Sequence, residues 1–352
     1  MLFRCHIPHE SDTAPNWEPL RQCVALAHVF AARGYRVAFA VHRGTFDRAK
    51  AVLGEAATLY RVPQQPDQEL PRLSFLRRTH NHHICVVAMP KADAAYTFGV
   101  QRQFPFTVVL GADPRANCYG KLLVNPHVEM PSTAFQCSAE SKLLLGPRFY
   151  IRDPNEPPPG ENGVPRHLML VIGDDEPLLD KLLAVRRHLP AALPVTVVGY
   201  RNPDVRRKCA AFAVGHPHLP LHYLTLKQAA EFPFSPENFY LVDPATTYLD
   251  LAQRGMAMMT VAGDTQKLNR CYMLEQLGVA PTLGWFSTKK EAEMAATISA
   301  RLRDTAALNK QRGQAQKVVD GRGAERIAHF VPSEVELGGK TPALNEASDL
   351  AD

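Results

Sequence analysis

Short β-type runs alternate with stretches of helical spacing along nearly the whole chain, and the alternation breaks once, at DPNEPPPGENGVP, residues 153–165. Parallel sheets produce this rhythm, because each parallel strand needs a crossover before the next. Proline removes backbone donors and restricts its neighbours, so the break reads as an exposed connector. A chain of 352 residues is also long for one ordinary core. The expected organisation is α/β, with two Rossmann-like doubly wound domains, residues 1–152 and 166–331. They are joined by the linker 153–165 and followed by a polar, aperiodic tail, 332–352, expected to be disordered. Two such domains have one natural ligand site, the cleft where the carboxyl ends of both sheets face each other.

In the first half, strands are read at 2–7, 35–41, 57–62, 83–88, 106–110 and 121–124. Helices are read at 17–33 and 46–53. Leu20, Cys23, Val24, Leu26 and Ala27 recur at helical spacing, and Gly34 follows as a stop. In the second half, strands are read at 167–172, 195–198, 221–224, 239–242 and 257–261. Helices are read at 178–188, 247–254 and 266–277, with one long helix at 289–309.

Composition narrows the function classes. Apolar residues make up 45% and charged residues 21% of the chain, a globular balance. A formal charge of +5, with no basic block interleaved with aromatics, argues against nucleic acid as a partner. No apolar run is long enough to span a bilayer, so no transmembrane segment is expected. MLFRCHIPHE lacks the apolar core of a secretory signal, so the expected location is cytoplasmic. Seven scattered cysteines without a CxxC pair read as free thiols, with no metal site and no cofactor.

Five segments together resemble the nucleotide-sugar hydrolases of the pseudaminic acid pathway and the related spore-coat polysaccharide proteins, relatives of the GT-B glycosyltransferases. They are FRCHIP with LRQCVALAHVFAARGYRVAFAV, then LLLGPRFYIRDP at 143–154, IGDDEP at 172–177, DPATTYLDLAQRG at 243–255 and VVDGRGAERIA at 318–328. The resemblance implies a GT-B-like fold, with a UDP-linked amino sugar held by the second domain and a glycan or protein acceptor on the side of the first.

On that resemblance, Gly173 lies in the first phosphate-approaching loop. Thr246 and Thr247 open a helix at the diphosphate, Asp250 faces the ribose hydroxyls, and Gln266 faces sugar or phosphate. Helix starts suit anions because their N–H groups are unpaired. Two departures stand out: Asp174 and Asp175 replace a family glycine and its neighbour, and Pro244-Ala245 replaces a glycine turn. A carboxylate beside a diphosphate is repelled, by about 1 kcal/mol at about 4 Å even in water.

The family's catalytic histidine opens the first helix, where a pKa near neutrality suits it to proton transfer. Here Pro19 stands at that position. His6, His9, Glu10, Asp12 and Glu18 lie in the same loop. His9 and Glu18 are the candidate catalytic residues, with Arg4 or Arg21 to neutralise phosphate. Asn125 matches a recurrent family asparagine at a strand end; it is the second candidate for substrate binding, with orienting a cleft loop as the alternative. Ala88 and Pro90 replace a family aspartate and tyrosine, and Tyr96 nearby reads as a packing residue. Two function classes stay open. One is an enzyme that hydrolyses or transfers a UDP-amino sugar for a surface or flagellin glycan. The other is a catalytically degenerate scaffold of the same pathway.

Overall fold

The computed structural model describes residues 1–9, 16–90, 92–113, 116–128, 131–152, 164–173, 175–199, 202–225, 235–244 and 247–333, leaving aside the Gln266 side chain. The expected linker therefore lies almost wholly outside the described residues, as do Thr246 and all but the first two residues of the tail.

The first sheet has seven strands: β1 (Leu2–Cys5), β2 (Ala38–His42), β3 (Leu59–Val62), β4 (Ile84–Ala88), β5 (Phe106–Leu110), β6 (Leu122–Asn125) and β7 (Lys142–Leu145). Their order is β3-β2-β1-β4-β5-β6-β7 and every pairing is parallel. The second sheet has six: β8 (His167–Val171), β9 (Val195–Gly199), β10 (Leu221–Thr225), β11 (Asn238–Val242), β12 (Ala257–Ala262) and β13 (Thr282–Trp285). Its order is β10-β9-β8-β11-β12-β13, again all parallel. The strand order reverses between β1 and β4 and between β8 and β11. Those two places open ligand crevices at the carboxyl ends. β1, β4, β11 and β12 are buried along their whole length, as strands covered by helices on both faces must be.

The first-half helices are α1 (Glu18–Ala32), α2 (Phe46–Leu53), α3 (Pro66–His80) and α4 (Ala94–Gln103). Pro19 sits in the first turn of α1, where a missing N–H costs nothing. The second-half helices are α5 (Glu176–Arg186), α6 (Pro203–Gly215), α7 (Tyr248–Gln253), α8 (Thr265–Gln276), α9 (Glu291–Arg303), α10 (Thr305–Val318) and α11 (Gly323–His329). The long helix expected at 289–309 is two helices. The break is at Asp304, which leaves helical geometry at ψ 77 and caps α10 by accepting from the Ala307 N–H at 2.9 Å.

Residues 323–331 do not stay with the second sheet. Ala324, Ile327, Ala328 and Val331 are buried in the same core as Phe3, Leu26 and Phe30. Residues 323–331, expected with the second domain, thus pack against α1 of the first. The return is tight: a Cβ on Gly323 would stand 2.2 Å from the Tyr150 carbonyl oxygen. Gly323 N–H donates to that same oxygen at 3.1 Å, and Arg326 donates to the Arg148 carbonyl at 2.8 Å. LLLGPRFYIRDP and VVDGRGAERIA therefore meet at one seam, where Ile151 and Arg322 also form an antiparallel bridge. All seven cysteines are free thiols, and no helix among the described residues is long and apolar enough to cross a membrane.

Candidate functional site

The two sheets meet at their carboxyl ends. His127, just past β6, places Nδ1 3.0 Å from the hydroxyl of Tyr248, at the start of α7 beyond β11. The Tyr150 hydroxyl donates to Asp250 Oδ1 across the same junction. The loops after the strands of both sheets therefore border one cleft.

The loop after β1 and the start of α1 form part of the first-sheet wall. Arg48 on α2 braces that loop: Nη1 donates to the Pro8 carbonyl at 2.9 Å, and the guanidinium lies 4.6 Å from the centre of the Trp17 ring. Glu18 follows as the first residue of α1. Its N–H is capped by Asn16 Oδ1 at 3.0 Å, and its Oε1 accepts from Gln22 at 3.0 Å. Burial raises the Glu18 carboxyl above the ordinary carboxylate pKa, against the pull of Arg21. His9 is exposed in the same loop. Glu10 and Asp12 lie outside the described residues.

The two candidates for substrate binding in this half are occupied by the protein itself. Arg4 is fully buried. Its Nε donates to Glu69 Oε1 at 2.6 Å, its Nη2 to Oε2 at 3.1 Å and its Nη1 to the Cys5 carbonyl at 2.8 Å. Nη2 also abuts His42 Nε2, which is 3.2 Å from Glu69 Oε2, while the Tyr96 hydroxyl donates to Glu69 Oε1. Arg4 is a strand residue pointing into the face covered by α3 and α4, so it does not reach the cleft. Burial alone would raise the Glu69 pKa, but the bonds from His42, Arg4 and Tyr96 win and bring it down to about 2. Asn125 is also buried. It donates to the Ala112 carbonyl at 2.9 Å and accepts from the His127 N–H at 2.8 Å. Its work is to hold the loop that presents His127.

In the second-sheet wall, Gly173 turns the chain after β8 at φ 64, a conformation glycine adopts without strain. Asp174 lies outside the described residues. Asp175 caps α5, accepting from the Leu178 N–H at 3.0 Å. Its other oxygen lies where a side chain on Gly263 would be, so Gly263 brings the ends of β8 and β12 together. Asp243, at the end of β11, is 7% exposed. Its Oδ2 accepts from Lys267 at 2.6 Å, while its Oδ1 has no donor among the described residues. Asp264 Oδ2 lies 3.3 Å from the same ammonium. Burial pushes Asp243 up to about 6, opposed by Lys267 and reinforced by Asp175 and Asp264. Thr247 precedes α7 without a side-chain capping bond. Asp250 is half-buried and engages Tyr150. Arg270 binds the Pro244 carbonyl and lies 5.7 Å from the Tyr248 ring centre. Asp243, Lys267 and Arg270 were not candidates by sequence. Asp243 was visible only as the first residue of a turn, and Lys267 and Arg270 as ordinary cations on a helix.

Two facing, parallel-stranded domains of this topology define the GT-B fold. No protein-family model and no curated protein matches the chain. Solved structures do. The chain resembles MurG of Acinetobacter baumannii with a TM-score of 0.59, over 94% of this chain and 98% of that one, at 11% identity. It resembles a putative UDP-N-acetylglucosamine 2-epimerase from Listeria monocytogenes with a TM-score of 0.57, over 93% and 94%, at 13% identity. It also resembles the spinosyn rhamnosyltransferase SpnG complexed with thymidine diphosphate, with a TM-score of 0.53, over 94% and 99%, at 12% identity. At such identities the likeness establishes the fold, and the fold alone.

Proposed function

We propose that this chain acts on a nucleotide-linked sugar held in the cleft, with Glu18 as its general acid or base. Glu18 carries the reading. It opens the first helix at the carboxyl end of the first sheet, one residue before Pro19, which stands where the resembled hydrolases present their histidine, and desolvation raises its carboxyl above the ordinary carboxylate pKa. A carboxyl group tuned upward serves proton transfer near neutrality better than an ordinary one. His9 stands in the same loop as the second candidate. A uridine nucleotide bearing an amino sugar, in the manner of the pseudaminic and spore-coat proteins, is the substrate the sequence resemblance supports. The similar structures of a UDP-N-acetylglucosamine 2-epimerase and of a rhamnosyltransferase complexed with thymidine diphosphate support a sugar nucleotide more broadly. In the second half, Gly173, Thr246, Thr247 and Gln266 remain the proposed nucleotide contacts. Asp250 serves there while also holding the junction through Tyr150.

The test is a panel of UDP- and TDP-amino sugars, with release of the nucleoside diphosphate as readout. Glu18→Gln should lower kcat roughly a hundredfold or more while leaving UDP affinity unchanged. Turnover at the wild-type rate in that variant removes Glu18 from the reaction. A scaffold role is the second reading. It is favoured by the internal use of Arg4 and Asn125, and by the three carboxylates at the second-sheet wall. UDP binding without turnover across the panel would support it.

A further inference from the structure

A cavity of about 590 Å³ opens at the free edge of the first sheet, lined by Arg43, Arg61, Pro63 and Arg72. The three arginines come from three elements: the turn after β2, edge strand β3, and α3. Arg43 and Pro63 each follow the last residue of their strand, so the cavity is on the carboxyl side of the sheet, the side that borders the cleft. All three arginines are exposed, and none is ion-paired among the described residues. Arg61 is pre-oriented against the Phe46 ring at 4.1 Å, and Arg72 against Phe75 at 5.0 Å. The nearest acid along α3, Glu69, is turned inward and consumed by Arg4, His42 and Tyr96. Asp47 and Asp67, on the adjoining helices, do not line the cavity. Three guanidinium groups sharing a concavity that no carboxylate lines among the described residues repel one another, and an anion with several oxygens relieves that repulsion. The planar fork of arginine matches a phosphoryl group through paired hydrogen bonds, which a lone ammonium does not.

We propose that this cavity binds a phosphoryl group on the acceptor side of the cleft, so that the acceptor is a phosphorylated molecule. This rests on the sugar-nucleotide reading for the word acceptor but not for the binding itself. A soluble sugar phosphate and a lipid-borne phosphate carry the same chemistry.

Isothermal titration of the full chain with inorganic pyrophosphate tests it. Arg61→Ala/Arg72→Ala should weaken binding roughly tenfold or more, and Arg43→Ala alone by less. Removing two exposed charges elsewhere, with Arg78→Ala/Lys310→Ala, should leave it unchanged. All of these side chains are exposed, and thermal unfolding verifies that each variant folds. A parallel UDP titration should be unaffected by Arg61→Ala/Arg72→Ala. Failure of UDP to bind at all would sink the nucleotide reading and leave arginine-dependent pyrophosphate binding standing. Glucose 1-phosphate binding that depends on the arginines identifies a soluble source. Sedimentation with phosphatidylcholine vesicles containing phosphatidic acid, but not with phosphatidylcholine alone, identifies a lipid one. Pyrophosphate that fails to bind the wild type, or binds the double variant equally well, overturns the proposal.

Discussion

Glu69 shows how one buried carboxylate can decide the character of a whole wall. Three side chains, from β1, β2 and α4, converge on this residue of α3 and reach its oxygens directly. The folded-state pKa, about 2, lies below the ordinary 4.5. The sign follows from that order. A depressed carboxyl stabilises the fold fully above its unfolded pKa, and the stabilisation disappears as pH falls through the folded value. Stability should therefore drop between pH 4.5 and 2, by on the order of 3 kcal/mol from this group. Chemical denaturation at pH 5 and pH 3 measures it. Glu69→Gln should be less stable at pH 5 and should show a smaller loss on acidification. An equal loss in the variant would assign the acid sensitivity to other groups. At the same scale, if Glu18 carries the proton, one limb of the pH–rate profile should lie above the usual glutamate range, and Glu18→Gln should abolish it.

At the scale of elements, the most demanding contact is the one between α11 and the turn before the linker. Gly323 leaves no room for a methyl group, because the atoms in the way are the Phe149 and Tyr150 backbone. Gly323→Ala should cost about 1–3 kcal/mol through forced displacement of that backbone. The denaturant midpoint should fall, whereas Gly313→Ala, where a Cβ meets nothing, should leave it unchanged or raise it. Unaltered stability in Gly323→Ala would mean the seam yields. The seam also explains what was legible in the sequence. The alternation of strand and helix exposed both domains and most strands, because fully buried strands such as ICVVA carry their own signal. α3, α4 and α6 were not readable. On α3 the buried side is little more than Glu69, Leu73 and Leu76, too thin a stripe to stand out, and Pro71 interrupts it. Strands β7 and β13 are four residues each and were likewise missed. The site was legible as a place rather than as a set of side chains. Arg4 shows why: a strand residue alternates faces, and the sequence did not say which face looked toward the cleft.

The whole molecule has an uneven charge distribution across its cleft. Arg43, Arg61 and Arg72 lie on the first side, and Asp175, Asp243 and Asp264 lie on the second, where the last two share Lys267. Asp243 sets the pH response of the second side. Its folded-state pKa is raised from 3.8 to about 6, so its stabilising contribution is complete below 3.8 and fades as pH rises through 6. An anionic nucleotide bound nearby is repelled by the ionised form and favours the protonated one. UDP affinity should therefore rise as pH falls from 7 through 6, with proton uptake detectable as buffer-dependent heats. Asp243→Asn should bind more tightly at pH 7 and lose most of that dependence. A pH-independent affinity in the wild type would place the phosphates away from this wall.

The last helix has a consequence for how the protein is made. The hydrophobic seat that Ile327 and Ala328 fill belongs to a domain whose other residues leave the ribosome far earlier. That domain waits, with the seat uncovered, until residues 323–331 have emerged. Expressed by itself as residues 1–152, it would keep an apolar slot open to water. A peptide spanning 320–333, supplied separately, is the natural plug.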